Sequence, residues 1–213
     1  MASGSDDEQL AQIKDWWQRN GMPLLVGAVL ALVLVFGWQG WQRHQANQAQ
    51  SGSVLYQELL TRVLDDGQPN TAEIVRLGNR LKDDHGRSHY AQYGRLLLAK
   101  VAVDEGRLED AASELRAVVD APADDTLEEL SRQRLALVLA AQGQAEQGLA
   151  LIDGEAAEFF RASREEIRGD LLLQLGQEER ARAAYVKAME SQAPDAAVGA
   201  LQMKVDDLAR EEA

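Results

Sequence analysis

From Asn20 to Gln42 the chain runs for 23 residues without a charge, and no other feature limits its architecture as strongly. A helix of that length extends roughly 34 Å at about 1.5 Å per residue, enough to cross a hydrocarbon layer of about 30 Å. A secretory signal would have a basic leader, a shorter apolar stretch and a small-x-small cleavage site. Here the leader is acidic (Ser5-Asp6-Asp7-Glu8), the apolar run from Met22 to Trp38 is long, and Arg43 and His44 follow it. The segment is therefore expected to stay as an anchor. All four tryptophans, Trp16, Trp17, Trp38 and Trp41, lie at the two edges of this run, where indole rings settle at headgroup level as interface anchors. Lys14 and Arg19 before the run against Arg43 after it is a weak vote for an N-terminus on the inner side. Gly27 with Ala31, flanked by Gly37 and Gly40, would allow a second helix to approach closely.

The remainder of the chain is acidic. Of the net charge of -13, residues 1 to 43 contribute only -1, from three cations (Lys14, Arg19, Arg43) against four acids (Asp6, Asp7, Glu8, Asp15). Such a surface repels phosphate backbones and anionic headgroups, so no nucleic acid is expected as a partner and a protein is. The absence of cysteine rules out disulfides, thiolate metal sites and cysteine nucleophiles, and is compatible with either redox compartment.

Beyond a polar stalk or helical extension over residues 43–52, helical periodicity runs almost unbroken. Pro69, Pro122 and Pro194 fall only in gaps, and no alternating strand pattern occurs. The expected class is all-α. Three glycines each precede a small residue by five positions: Gly106 and Ala111, Gly143 and Gly148, Gly176 and Ala181. Each glycine would end one apolar helix in the left-handed conformation, and the small residue would let the next helix cross another backbone closely. An apolar residue four positions further on (Leu115, Ile152, Tyr185) would fill the core on the same face. Spacings of 37 and 33 residues between the glycines match the tetratricopeptide arrangement, helical hairpins stacked into a solenoid. Gly67 with Ala72 fits the same rule, so residues 53–83 read as a degenerate first pair. The expected organisation is a tail over 1–19, a transmembrane helix over 20–42, the stalk, about four helix pairs over 53–193, and a capping helix over 194–213 that begins at Pro194-Asp195. Leu96, Leu97, Ala99 and Val103 read as core.

Little in the sequence suggests catalysis. His85 and His89 are four apart, but Gly86 between them reads as an inter-helix loop rather than a metal site. The Asp-Asp pairs starting at 65, 83, 124 and 206 lack the spacing of a calcium loop and read as solvated helix ends. No phosphate loop, nucleophile elbow or zinc-protease motif occurs, so no enzyme activity, cofactor or metal is expected. A tetratricopeptide stack offers instead a groove lined by the first helix of each pair. By resemblance to such stacks, its positions fall at Tyr93, Leu96, Lys100, Gln133, Leu137, Glu166 and Asp170. Residues 44 to 160 hold 20 acids and 11 bases, whereas 161 to 187 hold 5 and 6, which suggests that the first half presents an acidic face to a basic partner.

Taken together, the acidic tail, the span ending in "GWQGWQRHQ", the runs "RLALVLAAQGQAEQGLALID" and "IRGDLLLQLGQEERARAAY", and the C-terminal "LQMKVDDLA" resemble the YfgM family, the ancillary subunit of the bacterial Sec translocon. The resemblance implies an inner-membrane protein with a cytoplasmic tail and a periplasmic helical-repeat domain. It implies partners in the SecYEG translocon, in a membrane-anchored periplasmic chaperone related to peptidyl-prolyl isomerases, and in unfolded secretory proteins. A tetratricopeptide scaffold for another envelope complex, such as the cell-wall or division machinery, is the alternative that fold alone does not separate.

Overall fold

The computed structural model describes residues 4–65, 70–86, 88–192 and 199–211. Gly67, Pro69, Pro194 and Asp195, which served as punctuation in the sequence, lie outside the described residues. The chain divides into two compact units, Met1–Ser51 and Gly52–Ala213.

The first unit is formed by helix α1 (Gly4–Val63) up to Ser51. Its stretch Gly21–Arg43, 23 residues with a mean hydropathy of 2.2, is long and apolar enough to cross a membrane, one residue displaced from the expected 20–42. Leu25, Val29, Val33 and Phe36 all point outward, as suits a helix solvated by lipid rather than by protein. Trp16, Trp17, Trp38 and Trp41 are exposed. Trp17 and Trp38 are 21 residues apart, about 32 Å along a helix. Residues 43–52 are helical.

The second unit is a run of helical hairpins. The end of α1 pairs with α2 (Thr71–His85), α3 (His89–Asp104) with α4 (Leu108–Asp120), α5 (Asp125–Ala141) with α6 (Ala145–Leu151), and α7 (Glu158–Gln174) with α8 (Glu178–Glu190). Helix α9 (Gly199–Glu211) follows. No strand occurs among the described residues.

The three repeat turns are built alike. Gly106, Gly143 and Gly176 have φ of 74°, 77° and 69°. The amide of each glycine donates to the carbonyl three residues back, and the amide after it donates five residues back: Arg107 to Ala102 (2.7 Å), Gln144 to Leu139 (2.8 Å), Gln177 to Leu172 (2.9 Å). These bonds satisfy the carbonyls that a helix end leaves bare. A Cβ on any of the three glycines would meet no neighbour within 4 Å, so backbone conformation alone requires the residue.

Each second helix then begins two residues after its glycine, and its fourth residue is the small one. Ala111, Gly148 and Ala181 are buried, and so are Leu115, Ile152 and Tyr185 one turn on. At Gly148 the approach leaves no room for a side chain, since a Cβ there would lie 2.7 Å from the Ala136 carbonyl oxygen. The first hairpin departs from this rule. Asn70 caps α2 through the Glu73 amide and starts it at Thr71, so Ala72 is only the second helical residue and is exposed. Ile74 occupies the fourth position and Gly78 the eighth, both buried, which inverts the order of small and large. Leu98 of α3 fills the hollow at Gly78, and Leu81 of α2 fills the one at Gly94.

Hydrophobic clusters join each hairpin to the next. Leu59, Ile74 and Leu77 pack with Ala91 and Leu98, Ala111, Leu115 and Val118 with Leu127 and Leu139, and Ala145 and Ile152 with Ala136 and Leu171. Helix α9 buries Leu201, Val205 and Leu208 against Ala181, Ala184 and Tyr185, as a first helix of a further pair would. The turn and crossing geometries give a graded expectation for thermal unfolding of the detergent-solubilised chain. Gly143→Ala costs about 1–2 kcal/mol from forced left-handed backbone, a fall of several degrees in Tm. Gly148→Ala costs about 1–3 kcal/mol because the new methyl meets backbone. Gly199→Ala, at ordinary φ with open space around it, is neutral or slightly stabilising.

Candidate docking groove

The first helix of each hairpin after the first, α3, α5 and α7, carries the seven residues expected to line a groove, and the structure sorts them into four settings. Leu96, Lys100 and Leu137 meet around one cavity of about 300 Å³ between α3 and α5, together with Val103 and Arg134. Leu96 forms its buried floor with Leu115 and Val138, while Leu137 and Val103 are 42% and 41% exposed. Val103, expected in the core, therefore lies on the open wall beside Lys100 and Leu137. Lys100 pairs with Asp104 one turn on. Tyr93 stands apart from the cavity, partly exposed, with its ring 5.8 Å from that of Tyr56.

Gln133 is buried, and its amide donates to Glu129 Oε1 at 2.8 Å. Glu129 in turn accepts from Arg164 of α7, with Nε at 2.9 Å and a second bond from the other guanidinium nitrogen, and lies 3.3 Å from Arg132. The Arg164 side chain also donates to the carbonyl of Glu155 at 3.1 Å, which ties the α6–α7 loop to the same knot. Both partners are almost wholly buried. Burial by itself would raise the Glu129 carboxyl, but the bonds from Arg164 and Gln133 and the charges of Arg164 and Arg132 outweigh it and hold the group below the usual carboxylate range.

Glu166 and Asp170 face α9. Lys204 Nζ lies 2.9 Å from Glu166 and 2.7 Å from Asp170, and Asp170 also accepts from the Tyr185 hydroxyl at 2.8 Å. Burial and this carboxylate push the Tyr185 phenol up, out of the physiological range, so it remains a donor. Lys204, although partly desolvated, is raised by the two carboxylates.

Several other acids are also engaged. Glu114 is shared by Lys82 and Arg95, Glu105 and Asp110 are held by Arg107, and Asp124 caps α5 and lies 3.1 Å from His89. A larger depression of about 810 Å³, lined by Arg107, Asp110 and Arg116 beside the turns at Gly106 and Gln142, is polar, and Arg107 pairs with Asp110 within it. His85 ends α2 and His89 begins α3. No cluster of three or more metal-ligating side chains occurs among the described residues.

Three features were missed in the sequence. The Glu129–Arg164 pair joins residues 35 apart, Arg134 overhangs the apolar cavity, and Phe159 is 87% exposed with its ring edge-on to Phe160. A charged residue inside an otherwise apolar helical stripe is the signal for the first two.

A glycine-turned stack of helix pairs with a groove on its first helices, closed by a last helix and preceded by an apolar helix of membrane-spanning length, is a tetratricopeptide-like repeat protein with an N-terminal anchor segment. The family model of the tetratricopeptide repeat-like domain matches residues 14–210. The chain is 30% identical over 207 residues to the ancillary SecYEG translocon subunit of Escherichia coli (strain K12), covering 96% of this chain and 97% of that one. The proteins of the same name from Haemophilus influenzae (29%, 90% and 92% covered) and Neisseria gonorrhoeae (26%, 98% and 100%) are also similar. The chain belongs to this family, that of the ancillary SecYEG translocon subunits.

The Glu129–Arg164 joint is open to direct test by urea unfolding. Arg164→Met leaves a buried carboxylate without its partner and costs about 3–5 kcal/mol, whereas replacing both residues by apolar ones costs much less than the sum of the single changes. Because the Glu129 carboxyl is depressed in the folded state, its contribution is complete above the ordinary carboxylate range and is lost as pH falls through its folded value. Glu129→Gln removes that part of the acid sensitivity.

Proposed function

We propose that this chain is a non-catalytic accessory subunit of the Sec translocon. It is held in the bacterial inner membrane by its apolar helix, with the N-terminus cytoplasmic and the repeat unit periplasmic. There the repeat unit docks a membrane-anchored periplasmic chaperone related to peptidyl-prolyl isomerases, emerging secretory proteins, or both. The observation that carries the reading is similarity over almost the whole length, span included, to proteins named as translocon subunits. Supporting it, the repeat unit offers a groove rather than a constellation of reactive groups. Leu137 and Val103 present apolar surface there, which suits an extended or helical segment of another polypeptide. Tyr93, Leu96, Lys100 and Leu137 are the groove residues within reach of such a segment. Gln133 acts through the joint behind them, and Glu166 and Asp170 through the cap.

Two measurements test this. The chain has no cysteine, so single cysteines placed at Ser5 and at Ser191 report topology through a membrane-impermeant thiol reagent applied to spheroplasts. Labelling at 191 and not at 5 is expected; the reverse would put the repeats in the cytoplasm and end the proposal. Mild-detergent purification of the intact chain is expected to bring SecYEG with it. Recovery of wall-synthesis enzymes in place of translocon subunits would point to the other envelope role.

A further inference from the structure

The cavity between α3 and α5 holds one cation that its surroundings leave unanswered. Helix α5 carries two arginines two residues apart. Arg132 pairs with Glu128 and Glu129, whereas no hydrogen bond or ion pair engages Arg134 among the described residues. The positions three and four away from Arg134 on its own helix are Leu130, Ser131, Leu137 and Val138, so no acid reaches it from there. Three carboxylates on the adjacent first helices are already held by lysines. Asp104, the acid lining the cavity, is bound by Lys100, and Glu166 and Asp170 on α7 are bound by Lys204. What Arg134 does have beside it is Leu96, Leu115, Leu137 and Val138. Arg134 is itself exposed to solvent, but contact with these apolar side chains desolvates the guanidinium in part and holds it below the usual arginine value, in a chain whose overall charge is strongly negative.

A cation partly stripped of water beside apolar walls gains more from a carboxylate than one at an open surface does, and an arginine fork can hold both oxygens at once. We propose that this cavity is a subsite for an extended polypeptide segment that sets an apolar side chain against Leu96 and Leu137 and an adjacent aspartate or glutamate on Arg134. This rests on the reading that the groove docks a polypeptide, and it adds the chemistry of what is docked. Lys100, tied to Asp104, serves the rim, and Arg134 supplies the discrimination.

The test uses the full chain in detergent micelles and two fluorescent peptides amidated at the C-terminus. Both are mixtures of leucine, alanine and serine around one central residue, glutamate in the first and glutamine in the second. Fluorescence anisotropy is expected to show the glutamate peptide binding the wild-type chain about tenfold more tightly. Arg134→Gln brings the two affinities together while an unchanged melting curve shows that the fold is intact. Leu137→Ser weakens both peptides by a similar factor and keeps their ratio. The proposal is overturned if the wild-type chain does not distinguish the peptides, binds neither, binds only a version with a free C-terminal carboxylate, or keeps the glutamate preference in Arg134→Gln. The wider reading fails by a different sign, absence of SecYEG from the purified wild-type complex, so the two can be told apart.

Discussion

The close approach of two backbones inside each hairpin is the contact on which the rest of the repeat unit depends. It needs a chain reversal so short that only a left-handed residue completes it, and a fourth residue in the returning helix too small to hold the helices apart. Gly106, Gly143 and Gly176 meet the first requirement, and Ala111, Gly148 and Ala181 the second. Once the helices are that close, the larger side chain one turn on is driven into the same layer. Leu115, Ile152 and Tyr185 are buried for that reason. The positions of the first helices relative to each other, and with them the width of any groove, follow from this repeated step.

The face made by the first helices is not uniform along its length, and the cause is a change in how successive first helices are joined. Between α3 and α5 the contact is apolar and leaves a cavity with Leu96 at its floor and Leu137 on its rim. Between α5 and α7 the apolar packing of Ala136 on Leu171 is joined by the buried knot of Glu129, Gln133 and Arg164, whose charges must be fully paired because water is excluded. Gln133 and Leu137 are one turn apart on the same helix, yet one faces inward to the knot and the other outward to solvent. The last joint is made by α9, whose Lys204 answers Glu166 and Asp170.

Much of this architecture was legible in the sequence because its causes are local. A charge-free run flanked by tryptophans, and a glycine followed five residues later by a small side chain, express constraints acting over one or two turns. The first hairpin shows the limit of such reasoning. Gly67 with Ala72 has the right spacing, but Asn70 starts α2 late, and Ile74 and Gly78 take the inner positions. Val103 illustrates another limit, since it shares a helical face with the buried Leu96 and Ala99 and is nonetheless exposed. The groove positions were placed by analogy with other stacks. Which of them stay open depended on residues 34 to 38 positions away in sequence, Lys204 for Glu166 and Asp170, and Arg164 for Glu129 and so for Gln133. Pairings at that range leave no trace in a periodic pattern.

Helix α9 occupies the place where the first helix of another repeat would sit. A stack of like modules grows by offering at one end the surface that fits the other, so an unfinished end is an invitation to a second copy. Head-to-tail contacts of that kind do not close on themselves, and they extend into filaments. By filling the layer of Ala181, Ala184 and Tyr185 with its own Leu201, Val205 and Leu208, helix α9 covers the face on which a further module would stack. That face is thereby spent inside the chain, and the adhesive surface that makes repeats modular is withheld from other molecules.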